Sequence, residues 1–149
     1  MLRLGKMTDY ATVILSYIAN SRVSIHAALE ISTATGIAQP TVSKILKLLV
    51  KAEVLSSMRG AKGGYALVQA PDEITVAAVI IALEGPISLT ECSHSDHSCE
   101  QVSGCQIGSN WRLVNQTVQK ALESVTLADL MLPVRLPHEV TVPVASLYR

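Results

Sequence analysis

The sequence predicts a mainly α fold with a small β wing: a winged helix-turn-helix followed by a long dimerisation helix. Three observations carry this. Two helical patterns flank a short glycine turn in IHAALEISTATGIAQPTVSKILKLLVKAEVL. A glycine-rich basic hairpin, VLSSMRGAKGGYALVQ, follows directly. A striped helical segment, SNWRLVNQTVQKALESVTLADLM, lies beyond a loop that holds all three cysteines of the chain.

The elements follow in order. In MTDYATVILSYIAN, Thr8 is placed to cap a helix in which Val13, Ile14, Tyr17 and Ile18 recur at helical spacing. A second helix is expected at about residues 26–34, ended by Gly36, because glycine supplies the left-handed conformation that closes a helix. The third, about 39–52, has Pro40 in its first turn, where a missing N–H costs nothing. Ile45, Leu48, Leu49 and Ala52 form its expected buried stripe. This layout is a helix-turn-helix. VLSSM and YALVQ read as strands, with RGAKGG as the hairpin tip; its glycines permit close backbone approach to DNA, and Arg59 and Lys62 bring charge. Pro71 ends this unit, and ITVAAVIIALEG is a further helix stopped by Gly85-Pro86. Trp111, Val114, Val118, Ala121, Leu122 and Val125 form the apolar stripe of the last helix, which suits a second copy of the chain. The organisation is therefore a winged domain at 1–85, a loop at 86–108, a dimerisation helix at 109–131 and a mobile tail at 132–149.

The formal charge is zero over 149 residues, but it is segregated. Residues 1–70 hold eight Lys and Arg against three acids, whereas residues 71–149 hold four against nine. A basic half beside an acidic half suits a nucleic-acid face joined to a regulatory or assembly half. The recognition helix starts near Gln39 and exposes Gln39, Thr41, Ser43, Lys44 and Lys47. Glutamine pairs with adenine, the hydroxyls reach base edges or phosphates, and lysines suit phosphates. Arg59 at the wing tip is the expected minor-groove or phosphate contact, with Lys62 beside it. Double-stranded operator DNA is the implied partner. No run approaches the length of a membrane span and no signal-peptide pattern opens the chain, so a cytoplasmic protein without a membrane partner is expected.

The segment ECSHSDHSCEQVSGC, residues 91–105, gathers Cys92, Cys99 and Cys105 with His94 and His97. An odd number of cysteines in a reducing compartment argues for metal or redox chemistry over a disulfide framework. Zinc sites pair their cysteines closely, whereas thiolates spread along one loop can each reach a different corner of an iron–sulfur cluster. Three thiolates leave a fourth place, open to His94, His97 or a carboxylate from elsewhere. A zinc site built from the cysteines and one histidine, and a metal-free thiol switch, are the other readings. No close cysteine pair, nucleotide-phosphate loop or Ser/His/Asp constellation supports an enzyme.

Taken together, LRLGKMTDYA, TGIAQPTVSKILKLL, RGAKGGYAL, ITVAAVIIALEGP, the three cysteines and CQIGSNWRLVNQTVQKALESVTLADL resemble the IscR/NsrR family of winged-helix iron–sulfur regulators, over about residues 1–131. The nearest flavour is the regulators of SUF-type cluster-assembly operons. The resemblance implies a homodimer that swaps its long helix, cluster ligation by Cys92, Cys99 and Cys105, and Arg59 in the minor groove. It also implies repression of cluster-assembly genes when clusters are plentiful. IscR-type members carry a histidine three residues after the last cysteine, where this chain has Gly108. NsrR-type members use an N-terminal aspartate from the other subunit, and Asp9 matches that position. Asp9 of the partner is therefore the first choice of fourth ligand, with His94 or His97 as fallback. Three thiolates and an oxygen favour a 4Fe–4S cluster; 2Fe–2S stays open, as does a nitric oxide sensor of the same family.

Overall fold

The computed structural model describes residues 3–60, 62–90 and 107–133. Its elements run α1 (Lys6–Asn20), α2 (Ala28–Thr35), α3 (Gln39–Lys51), β1 (Leu55–Met58), β2 (Gly64–Leu67), α4 (Val76–Glu84), α5 (Gly108–Glu123) and α6 (Leu127–Met131). The strands pair antiparallel, with Leu55 opposite Leu67 and Met58 opposite Gly64. His26 bridges to Tyr65 on the other edge of β2 and so serves as a third strand. The fold is the mainly helical winged helix that the sequence predicts.

The core is aliphatic, as a chain without phenylalanine requires. Ala11, Ile14, Leu15 and Ile18 of α1 meet Ile31 of α2, Val42, Ile45, Leu46 and Leu49 of α3, and Val79 of α4. The buried stripe of α3 is thus rotated from the expected one: Val42 and Leu46 replace Leu48, which is half-buried, and Ala52, which is exposed. Gly36 closes α2 with φ 71° and Pro40 sits at the start of α3, both as the sequence indicates. Glu53, just after α3, also takes a left-handed conformation at φ 59°.

Three expected features are corrected. Thr8 is not the cap of α1; Gly5 holds that position and Thr8 lies buried in the first turn. His26 does not begin α2, because its backbone N–H and carbonyl each bond Tyr65 at 2.9 Å, leaving none for a helix. The segment 109–131 is not one helix. Thr126 starts α6 by a reciprocal cap: its hydroxyl accepts the Asp129 N–H at 3.2 Å, while Asp129 Oδ2 accepts the Thr126 N–H at 2.9 Å.

That break returns the chain to the winged domain. Val76 N–H bonds the Val125 carbonyl and Leu127 N–H bonds the Ile74 carbonyl, both at 2.8 Å. Leu127 is 1% exposed and joins the core. Residues 125–131 therefore complete the winged domain instead of extending away from it. In the isolated chain Trp111, Val114 and Val125 of the expected stripe stay exposed, while Val118 and Leu122 are half-buried. Among the described residues, no helix is long and apolar enough to cross a membrane.

Candidate nucleic-acid interface and metal-ligating residues

Helix α3 buries Val42, Ile45, Leu46 and Leu49, so its opposite face is offered to solvent. At about 100° per residue, Gln39, Ser43, Lys44 and Lys47 fall on that one face. Gln39, Lys44 and Lys47 are exposed and Ser43 is half-buried. Thr41 lies apart from them. It lines a concavity with Lys6, Tyr10, Thr35, Gly36 and Ala38, where α1 approaches the start of α3. Lys6 and Tyr10 are neighbours of the recognition helix that sequence patterning did not single out. The Lys6 ammonium sits 5.3 Å from the Tyr10 ring centroid, and its contact with Tyr10 raises its pKa above the ordinary lysine value. A Lys at i and Tyr at i+4 on one helix was the available signal.

The wing carries Arg59 and Lys62, both exposed, at its tip. Its glycines answer to interior demands. Gly60 takes φ 118°, a conformation that side chains rarely adopt. A Cβ on Gly63 would lie 2.3 Å from the Met58 carbonyl oxygen, and one on Gly64 would lie 2.6 Å from that of His26. Two of the three wing glycines thus permit close approach of the hairpin to itself and to the third strand.

Asp9 stands exposed in the first turn of α1. It lines an open concavity with Arg3, Lys6, Thr12, Val76 and Leu130. The turn that carries it is tied to α4: the Gly5 N–H donates to Glu84 Oε1 at 2.6 Å, and the Thr8 hydroxyl donates to the same oxygen. Glu84 thereby caps α1 from another helix, its charge at the positive end of the α1 dipole. A second tie lies on α5. Buried Asn115 accepts the Leu89 N–H at 2.9 Å and donates to the Ile87 carbonyl at 3.0 Å. It fixes the strand of chain that leads into the cysteine segment. Neither Glu84 nor Asn115 carried a sequence signal, since both act across the fold. Cys92, Cys99, Cys105, His94 and His97 lie outside the described residues. Among the described residues there is no group of three or more potential ligands.

A helix-turn-helix with a polar, basic recognition face and a basic hairpin beside it defines a winged-helix DNA-binding regulator. Comparison with known proteins agrees. The profile of the Rrf2 family, described as "Iron-dependent Transcriptional regulator", matches residues 4–133, and the chain belongs to that family. It is 30% identical over 131 residues to the transcriptional regulator IscR of Sodalis glossinidius, covering 87% of this chain and 79% of the relative. Among solved structures it is similar to the CymR (YrzC) global cysteine regulator of B. subtilis, at TM-score 0.66 and 27% identity, over 88% of this chain and 97% of that one. It is also similar to the IscR of T. potens, at TM-score 0.58 and 26% identity, over 87% of this chain and 86% of that one.

Proposed function

We propose that this protein is a homodimeric, cytoplasmic repressor of iron–sulfur cluster assembly genes that reads cluster status through a cluster of its own. The observation that carries this is the conjunction of a winged helix with every cysteine of the chain gathered at 92, 99 and 105. The IscR relatives support the cluster reading. Cys92, Cys99 and Cys105 would hold it, with Asp9 of the partner subunit as fourth ligand and His94 or His97 as fallback. The exposed position of Asp9 fits donation to a second chain. A carboxylate among three thiolates favours 4Fe–4S over 2Fe–2S, and such a cluster supplies a site sensitive to oxidants and nitric oxide.

The residues of the chain then do the coupling. Gln39, Ser43, Lys44 and Lys47 enter the major groove, with Thr41 at their flank, and Arg59 and Lys62 grip the backbone beside it. Two recognition helices meet two half-sites only at one separation, so any change at the dimer interface changes affinity. Glu84 and Asn115 tie both ends of that interface, the Asp9 turn and the chain entering the cysteine segment, to the winged domain.

The test is an absorption spectrum with iron and sulfide analysis on protein purified without oxygen. Brown protein with matched iron and sulfide is expected. Colourless protein containing zinc would overturn the cluster reading. A second reading, favoured by the likeness to CymR, is a regulator of cysteine metabolism; it predicts a colourless, metal-free protein even after reconstitution with iron and sulfide.

A further inference from the structure

A polar cluster beneath the wing plays no part in the reading so far. His26 is 0% exposed. Its backbone is the third strand of the wing sheet, exchanging two hydrogen bonds with Tyr65 of β2. Its ring lies between two oxygens: Nε2 is 2.9 Å from the Val23 carbonyl and Nδ1 is 2.7 Å from Glu30 Oε1. A carbonyl only accepts, so Nε2 must donate. Glu30 is an acceptor as well. Its Oε1 also takes the Tyr17 hydroxyl at 3.0 Å and its Oε2 the Ala27 N–H at 3.3 Å. The hydrogen bond from His26 is the largest cause holding the Glu30 carboxyl below the ordinary glutamate range. An ionised carboxylate cannot supply a proton to the ring. The ring therefore satisfies both neighbours only when both nitrogens carry protons. A neutral ring has one N–H and must set a lone pair against one of the two oxygens.

We propose that His26 is a proton-operated latch on the wing: with both nitrogens protonated it pins the third strand and hence β2, and on losing one proton it gives up one of its two bonds and loosens the hairpin. The titratable groups that face it are Glu30 from α2 and Tyr17 from α1, whose ring meets the imidazole edge-on at 5.4 Å, with Tyr65 of β2 paired through its main chain. The Tyr17 hydroxyl is pushed above the ordinary tyrosine range, first by its bond to Glu30, and stays a donor throughout. The sign follows from the proton count. The latch is closed on the acid side of the ring's titration and is lost as pH rises, in the span from about pH 5 to 8 where histidine changes charge. Because β2 carries one side of the Arg59–Lys62 tip, the grip on DNA weakens with it; that second effect rests on the DNA-binding reading proposed above.

The test uses the full chain at about pH 6 and about pH 8.5. Exchange of the Tyr65 amide, corrected for its intrinsic rate, is expected to quicken roughly tenfold at the higher pH, the loss of one hydrogen bond. Operator affinity is expected to fall by a similar factor. A buried His26 variant risks unfolding, so the comparison variant is Glu30→Gln, at an exposed position. A glutamine can turn either its N–H or its oxygen to the ring and so accepts the neutral form; both pH responses should flatten. Equal Tyr65 protection at the two pH values, or the wild-type response retained in Glu30→Gln, would overturn the latch. A changed Tyr65 protection with unchanged DNA affinity would support the latch and refute the wing as a DNA contact.

Discussion

Glu84→Ala removes a helix cap that belongs to a different helix. Its carboxylate holds the Gly5 N–H and the Thr8 hydroxyl at the start of α1. A hydrogen bond to a charged acceptor contributes about 1.5–3 kcal/mol, and a carboxylate at a helix N-terminus about 0.3–1 kcal/mol. Glu84 is exposed, so water replaces it readily at Gly5. Thr8 is 1% exposed, so water reaches its hydroxyl poorly. Discounting the first bond and keeping most of the second gives a loss of about 2 kcal/mol, and about 1 kcal/mol for Glu84→Gln, which keeps an acceptor. The assay is urea unfolding at fixed protein concentration, since assembly would shift the midpoint. With slopes of about 1–3 kcal/mol per molar urea, the midpoint should drop by roughly 1 M with the slope unchanged. In a double-mutant cycle with Thr8→Val, the pair should cost less than the sum of the single changes. A loss below about 0.5 kcal/mol, or strict additivity with Thr8→Val, would refute the reasoning.

Other outcomes follow from single positions. Arg59→Ala should lower the slope of log affinity against log salt by about one and weaken binding, as removal of one phosphate contact does; an unchanged slope would remove the wing tip from the interface. Gly64→Ala should destabilise by roughly 2–3 kcal/mol, because its Cβ would lie 2.6 Å from the His26 carbonyl oxygen, and chemical unfolding reads this directly. Glu53→Asn should stabilise by about 0.5–1 kcal/mol, since asparagine tolerates the positive φ of residue 53 better than glutamate. Thr126→Ala should cost about 1 kcal/mol through loss of the reciprocal cap with Asp129, seen as faster amide exchange in α6.

What could be read from the sequence was local. Gly36 and Pro40 announce the ends of α2 and α3 by their own backbone chemistry, and both hold. The hairpin tip is equally local. What could not be read depends on partners distant in the chain. Thr8 has the right residue type for a cap, but its hydroxyl goes to Glu84, 76 residues away. His26 continues a helical pattern in sequence yet pairs with Tyr65, because a strand edge claims its backbone. The stripe of α3 turns toward Val42 and Leu46 because α1 and α4 pack on that side. The break before α6 was legible in principle: Thr126-Leu127-Ala128-Asp129 is a capping signal preceded by β-branched Val125. The helical stripe was strong enough to hide it. Of the candidate site, the exposed face of α3 and the basic wing tip were legible, while the ties made by Glu84 and Asn115 were not.

The central claim is that one chain joins an operator-binding winged helix to a cluster held by Cys92, Cys99 and Cys105. Its most direct test is the operator affinity of one anaerobic preparation, measured before and after the cluster is stripped with a chelator and oxidant. The account predicts a change of at least about tenfold, within the span of coupling energies between linked sites, and no change in a variant with all three cysteines replaced by alanine. Equal affinity of the loaded and stripped protein would contradict it.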